Sequence, residues 1–381
     1  MIALAGQAAP SSANEFTINA CQADRGNFST QAFEDFATRG MMWKRACDPE
    51  GPGLRGLVTS NVIRSGRVRR GARSYFILRA PHGTRFSRFT WSGQARRRDC
   101  RYALQLWASR PDGPPVSIKN VRANRRCPRR GYAQAAGWPR PRTYNIAGAT
   151  RVVQRVVCVG KRRSRYCSSR GLNYIRTFKA QATVVDVSPP LVGILQDNPF
   201  TRGEWVGGVQ TVGYNALDNT GVRLARAVVS GFARGEHPRA CSYAQRIPCP
   251  NGPGAITVDT RSLGDGSQPL TIQAEDAAGN LNGSAPITVR VDNTAPGAVP
   301  VSVEGGDAWR NRNDFDVGWD NPDEGDRAPI TVAHYRLCRP GGSDCVGASR
   351  SGLGIEQLAD LTVPAPGEWH LRLWRQDAAT N

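Results

Sequence analysis

The segment Leu270-Thr-Ile-Gln-Ala-Glu-Asp-Ala-Ala-Gly-Asn280 returns 101 residues later as Leu371-Arg-Leu-Trp-Arg-Gln-Asp-Ala-Ala-Thr-Asn381. A period this long denotes tandem modules, each large enough to hold its own small core. In the first copy Leu270, Ile272 and Ala274 alternate with Thr271, Gln273 and Glu275, so one face is apolar and the other is wet. Asp276 opens Asp-Ala-Ala-Gly, which suits a type I turn with Gly279 in fourth position. The run Ile287–Val291 alternates again, so the unit is expected to close as the last hairpin of a β-sandwich. The second copy stops at residue 381, so the last module is expected to be incomplete.

The upstream edge repeats as well. Asp186-Val-Ser-Pro-Pro190 and Asp292-Asn-Thr-Ala-Pro296 each place an Asp four residues before a Pro, after one β-branched run and before another. Proline cannot donate to a central ladder, so these segments mark linkers. They divide the chain into a leader (1–14), a first domain (15–188), a second (189–293) and a third (294–381). Both Asp residues read as closing a turn before Pro, with calcium at a module junction as the alternative.

Residues 189–293 resemble bacterial extracellular immunoglobulin-like repeats. The resemblance is carried by Val258-Asp-Thr-Arg-Ser-Leu-Gly-Asp-Gly266, the Asp276–Asn280 turn and the closing Val-Asp-Asn-Thr-Ala-Pro296. Residues 294–381 resemble a fibronectin type III or related immunoglobulin-like module through Val317-Gly-Trp-Asp-Asn-Pro322, Pro329-Ile330, His334-Tyr-Arg-Leu-Cys338 and Pro366-Gly-Glu-Trp369. In the first domain short strands and turns dominate: Ser74–Leu78 into the turn Arg79–Thr84, then Tyr102–Trp107, Arg151–Cys158 and Tyr174–Ala180. Only Gln31–Thr38 suggests a short helix. Size and strand spacing predict a jelly roll of two packed sheets. The strand Phe76 into Ala-Pro-His-Gly-Thr84, the Trp91 and Trp107 strands and the Cys158/Cys167 loop resemble the lectin- or glucanase-like domains that precede immunoglobulin-like repeats in bacterial secreted proteins. The expected fold is therefore all-β: a jelly-roll-like sandwich followed by two immunoglobulin-like sandwiches, the last truncated.

Ten cysteines point to an oxidising compartment. Cys158 with Cys167, Cys241 with Cys249 and Cys338 with Cys345 are local pairs, and chain order suggests Cys21 with Cys47 and Cys100 with Cys127. None has the Cys-x-x-Cys spacing of zinc sites, and the four histidines are scattered. Met1–Ala5 with the following Gly-Gln-Ala-Ala-Pro10 reads as the tail of a signal peptide, with a disordered Ala-rich leader as the alternative. No segment approaches the apolar length of a membrane helix. A secreted or cell-surface location follows, with no cofactor and no metal expected.

Charge is sharply divided. Residues 1–188 hold 35 Lys and Arg against 9 Asp and Glu; residues 189–381 hold 16 against 22. Three clusters stand out: Arg96, Arg97 and Arg98 with Arg101; Arg122 through Arg130, including Arg125, Arg126, Arg129 and Arg130; and Lys161 to Arg163 with Arg165. Such loops are solvated faces or attract an anionic surface, and a glycan or an anionic cell-wall or matrix polymer fits an extracellular protein better than nucleic acid. Trp138, flanked by Arg140 and Arg142 in a Pro-rich loop, is the candidate exposed aromatic, whereas Trp91 and Trp107 fall on strand patterns and read as core.

Catalysis finds little support. Glycosidases need two carboxylates flanking the scissile bond. The first 188 residues offer only Glu15, Asp24, Glu34, Asp35, Asp48, Glu50, Asp99, Asp112 and Asp186. Adjacent Glu34 and Asp35 would point oppositely on a strand, and Asp48 and Glu50 sit in a turn. The cluster Asp320, Asp323, Glu324 and Asp326 matches no EF-hand spacing and reads as a solvated loop. The expectation is a non-enzymatic adhesion or binding protein whose basic first domain contacts the polymer while the modules act as spacers. The alternatives are a purely structural surface protein or accessory modules of an enzyme whose catalytic domain lies outside this chain.

Overall fold

The computed structural model describes residues 14–21, 29–47, 54–63, 66–123, 133–135 (backbone alone), 140–160 and 165–381. Its architecture is all-β, in three successive sandwiches.

The first sandwich packs a seven-stranded sheet on a five-stranded one. The long antiparallel strands Arg85–Arg97 and Tyr174–Val185 form the centre of the larger sheet. Ala133–Ala135 and Arg142–Ala149 flank one side, Gly56–Asn61 and Glu15–Ala20 the other, and Met41–Ala46 lies outside Gly56–Asn61. The smaller sheet runs Phe33–Ala37, Arg73–Arg79, Arg151–Cys158, Tyr102–Ser109 and Val116–Val121. The chain passes from one sheet to the other between successive strands of the two sheets, except from Met41–Ala46 to Gly56–Asn61, from Tyr102–Ser109 to Val116–Val121 and from Ala133–Ala135 to Arg142–Ala149. Repeated crossing between two packed antiparallel sheets makes this a jelly-roll-like sandwich. Period-two alternation sends Phe76, Leu104, Leu106, Val152 and Val156 inward to meet Phe86, Phe89, Trp91 and Ile175.

A polar bridge crosses this core. Gln154, 3% exposed, donates to the carbonyls of Leu57 (2.8 Å) and Ile175 (3.2 Å) and accepts from the Thr177 hydroxyl (2.6 Å). Thr177 in turn accepts from Trp91 Nε1 at 2.7 Å.

The helix expected over Gln31–Thr38 is instead the edge strand Phe33–Ala37. Phe33 sits edge-on to Phe76 and Phe36 stacks on Tyr75, while Asp35 pairs with Arg45. Tertiary pairing outweighs a weak local preference here.

The second sandwich sets Leu191–Ile194, Val209–Leu217 and Gly252–Asp259 against a sheet running Trp205–Val206, Ile287–Val291, Gly266–Asp276, Val222–Val229 and Phe232–Pro238. Trp205–Val206 pairs parallel to Ile287–Val291, and the other pairings are antiparallel. Leu270, Ile272 and Ala274 are fully buried, as the alternation requires. Gly279 closes the Asp276 turn, its amide bonding the Asp276 carbonyl. The third sandwich repeats the order with Ser302–Val303, Phe315–Gly318 and Gln357–Leu361 facing Val346–Ser351, Ile330–Cys338 and His370–Asp377. Asp276 opposes Val222 and Asp377 opposes Ile330, so the sequence repeat is a structural one. Both carry the strand order of immunoglobulin-like sandwiches.

Cys21–Cys47, Cys158–Cys167, Cys241–Cys249 and Cys338–Cys345 are disulfides. Cys100 is also disulfide-bonded, and Cys127 lies outside the described residues. Four such bonds fit an extracellular protein. Among the described residues no helix is long and apolar enough to cross a membrane. Residues 1–13 of the leader, with its signal-peptide reading, lie outside the described residues.

The Cys241–Cys249 loop of the second sandwich docks on the first. Tyr243 packs against the first core, its ring 6.0 Å from that of Phe16, and its carbonyl accepts from the Asn19 amide at 2.7 Å.

Candidate binding face of the first sandwich

The outer face of the five-stranded sheet is built by the same alternation that fills the core. With Leu104 and Leu106 inward, Gln105 and Trp107 point out; with Val152, Gln154 and Val156 inward, Val153 and Arg155 point out. Register then aligns them across strands. Tyr75, Arg155, Gln105 and Asn120 form one row, and Ile77, Val153, Trp107 and Ser117 the next. Trp107 is thus half-buried on the outer face, which corrects its reading as a core residue. Trp91, 4% exposed, is the core tryptophan.

A shallow cleft of about 180 Å³ opens here, lined by Gln105, Trp107, Pro115, Lys119, Asn120 and Arg155. The Arg155 guanidinium lies 4.9 Å from the Trp107 ring centre and donates to Gln105 Oε1 at 2.6 Å. Its Nε finds no acceptor among the described residues. Burial, and then the neighbouring charge of Arg73, hold its pKa below the ordinary arginine value. A flat indole beside a guanidinium, an ammonium and two amides offers an apolar face for the carbon face of a sugar and cations for its acidic groups.

A larger hollow of about 850 Å³ opens on the third sandwich, floored by Phe315, Val317, Leu337 and Leu361. Those residues belong to that sandwich's own core, so the hollow is an open side of the core; the polar constellation lies on the first sandwich.

The predicted contact residues fall in two groups. Trp138, Arg125, Arg126, Arg129 and Arg130 lie outside the described residues, as do Lys161, Arg162 and Arg163. Arg140 and Arg142 are exposed, Arg142 opening the strand Arg142–Ala149 opposite Trp91. Arg96 and Arg97 end the strand Arg85–Arg97. Arg97 donates to the Arg122 carbonyl, and burial holds its pKa down despite the opposing effect of Asp99. Exposed Arg98 leads a turn whose amides, its own and that of Asp99, both bond Asn173 Oδ1 at 2.8 Å. Among the described residues, Arg96, Arg97, Arg98, Arg140 and Arg142 do not line the Trp107 cleft. Arg96 shares its sheet's outer face with Gln94, which accepts from Tyr174 and Arg176.

The described carboxylates of the first sandwich are largely bound to arginine: Glu15 to Arg88, Glu34 to Arg79, Asp35 to Arg45 and Asp99 to Arg101. Asp24, Asp48 and Glu50 lie outside the described residues. In the third sandwich Glu324 pairs with Arg327 at 2.9 Å, while Asp320, Asp323 and Asp326 are exposed.

No protein-family model matches the chain, and no curated protein matches it. Among solved structures, titin domains match at a TM-score of 0.33 and 9% identity over 84% of this chain and 92% of that one. The fibronectin(III)-like modules of Clostridium thermocellum CbhA match at 0.27 and 14%, over 50% and 87%. The adhesin domain of Epf from Streptococcus pyogenes matches at 0.26 and 10%, over 72% and 95%. Scores this low carry no argument of their own, and the fold rests on the strand order: a jelly roll followed by two immunoglobulin-like sandwiches.

Proposed function

We propose that the chain is a secreted, non-enzymatic binding or adhesion protein. Its first sandwich holds an acidic glycan on the face around Trp107 and Arg155, and the two immunoglobulin-like sandwiches space that face from whatever lies beyond. The observation that carries this reading is the cleft itself, where a half-exposed indole, a guanidinium and Lys119 meet on a flat sheet. The excess of 35 cations over 9 anions in residues 1–188 supplies long-range attraction for a polyanion. The disulfides fit the compartment where such polymers are found.

The test is retention of the full chain on acidic and neutral polysaccharides across a salt series. Trp107→Ala and Arg155→Gln should each weaken binding to the acidic polymer about tenfold, or ~1.4 kcal/mol, with the circular dichroism spectrum unchanged. Equal binding by both variants, with loss only on neutralising Arg125, Arg126, Arg129 and Arg130, would move the site to the basic loop. Absence of binding at every salt concentration would leave the purely structural reading.

A further inference from the structure

We propose that the junction between the first and second sandwiches is a calcium site formed by Asp186, Asp218 and Asp276 with Asn219. The three carboxylates arrive from separate elements: the linker, the loop after Val209–Leu217 and the turn after Gly266–Asp276. Their oxygens lie within 4.8 Å of one another. Two oxygens bound to one ion at about 2.4 Å can be no farther apart than about 4.8 Å, so the three separations meet the condition for sharing a single calcium.

The cluster contains acceptors that no donor satisfies. Asp186 is 1% exposed, yet its Oδ2 has no hydrogen-bond partner. Asn219 Oδ1 is buried and equally without one. The Asn219 amide nitrogen donates instead to the His82 carbonyl of the first sandwich at 2.8 Å and toward Asp186 Oδ1 at 3.4 Å. An uncompensated buried carboxylate oxygen is costly, and a cation would partner the bare Asp186 oxygen while sharing Asp218 and Asp276, which also accept from Thr220, Ala278 and Asn280. Arg223 senses Asp276 electrostatically, but its guanidinium is bonded to Glu275. Burial, with Asp186 adding to it, raises the Asp218 pKa. The donor set is all oxygen, with neither His nor Cys, which favours a hard ion over zinc.

The second junction is an internal control. It repeats the same frame: Asn280 bonds the Asp186 carbonyl and the Asp276 carboxylate, and Asn381 bonds the Asp292 carbonyl and the Asp377 carboxylate. There, however, the Ala328 amide donates to Asp292 Oδ2 at 2.8 Å. The corresponding amide at the first junction, that of Thr220, turns to Asp218 Oδ1 at 2.7 Å and leaves Asp186 Oδ2 bare. Asp326, the counterpart of Asp218, is exposed. One junction is closed by protein donors, while the other presents oxygens to an ion. This departs from the expectation of no metal and adds an ion to a joint that Tyr243, Asn219 and Asn280 already hold.

Equilibrium dialysis of the full chain against radioactive calcium at physiological ionic strength tests the site. One ion per chain is expected, half-saturating at about 0.1–1 mM, the range of extracellular modules. Asp218→Asn, which keeps an acceptor for Thr220, should weaken binding at least tenfold, and Asp326→Asn should leave it unchanged. Should Asp218→Asn fail to fold, Asn219→Ala replaces it with the same expectation. No ion bound at about ten times the expected concentration, equal binding by wild type and Asp218→Asn, or equal affinity for magnesium would each overturn the proposal.

Discussion

Replacing Gln154 by leucine would test whether the sheets of the jelly roll are held by a polar bridge as well as by apolar packing. The substitution roughly conserves volume but removes the donations to the Leu57 and Ile175 carbonyls and the acceptor of the Thr177 hydroxyl. At about 1 kcal/mol for each net bond, the three come to about 3 kcal/mol. The stranded Thr177 donor adds roughly 1 kcal/mol or more, and the apolar side chain returns about the same amount by burial. The expected loss is about 3 kcal/mol, confined to the first sandwich. Hydrogen exchange read by mass spectrometry on the full chain resolves it: peptides from Tyr174–Val185 should lose protection by about two orders of magnitude, while those from Gly266–Asp276 keep theirs. A loss below about 0.5 kcal/mol would refute the reasoning, because the bridge would then contribute no more than the leucine that replaced it.

Other outcomes follow from single residues. For Asp99, burial by itself would raise the pKa, but the Arg101 side chain and the amides of Arg101 and Ser168 outweigh it and hold the carboxyl below its ordinary value. Its folded pKa is depressed, so its stabilisation is present above the ordinary carboxylate pKa of about 4 and is lost as pH falls through the lower folded value. Wild type should therefore be more stable than Asp99→Asn at neutral pH and converge on it in acid; a gap that persists in acid would contradict this. Gly221 has φ +82°, and a Cβ there would sit 1.9 Å from the Cys249 carbonyl oxygen. Gly221→Ala should lower the second sandwich's stability by at least about 2 kcal/mol, read as a shifted thermal transition; an unshifted one would contradict the geometry. Replacing Cys158 and Cys167 together by serine should cost about 3 kcal/mol and expose the short strand Tyr166–Ser168 to exchange; unchanged protection there would show that its pairing with Arg67–Arg69 suffices.

The repeat was readable because both features that define it are local. Alternation placed Leu270, Ile272 and Ala274 in the core, and Asp276 with Gly279 wrote the turn. The jelly roll was readable from strand spacing, whereas its order follows from crossings that leave no local trace. Phe33 and Phe36 have helical spacing, yet Phe76 and Tyr75 draw them into a sheet. The alternation that makes Tyr102, Leu104 and Leu106 a core row puts Trp107 on the opposite side, so apolar character alone does not make a strand residue part of the core. Arg155 could not be linked to Trp107 before the register between their strands was fixed. Asp186, Asp218 and Asp276 are far apart in the chain, and only the folded junction brings them together.

The clasp that Asn280 places on the Asp186 carbonyl, and Asn381 on that of Asp292, joins residues 94 and 89 positions apart. Each linker is fastened by a turn made near the end of the module that follows it. During synthesis the chain emerges N-terminus first, so the Asn clasp of each joint closes only after almost a whole further module has been added, and the last fastening of each pair of neighbours is made by the later one.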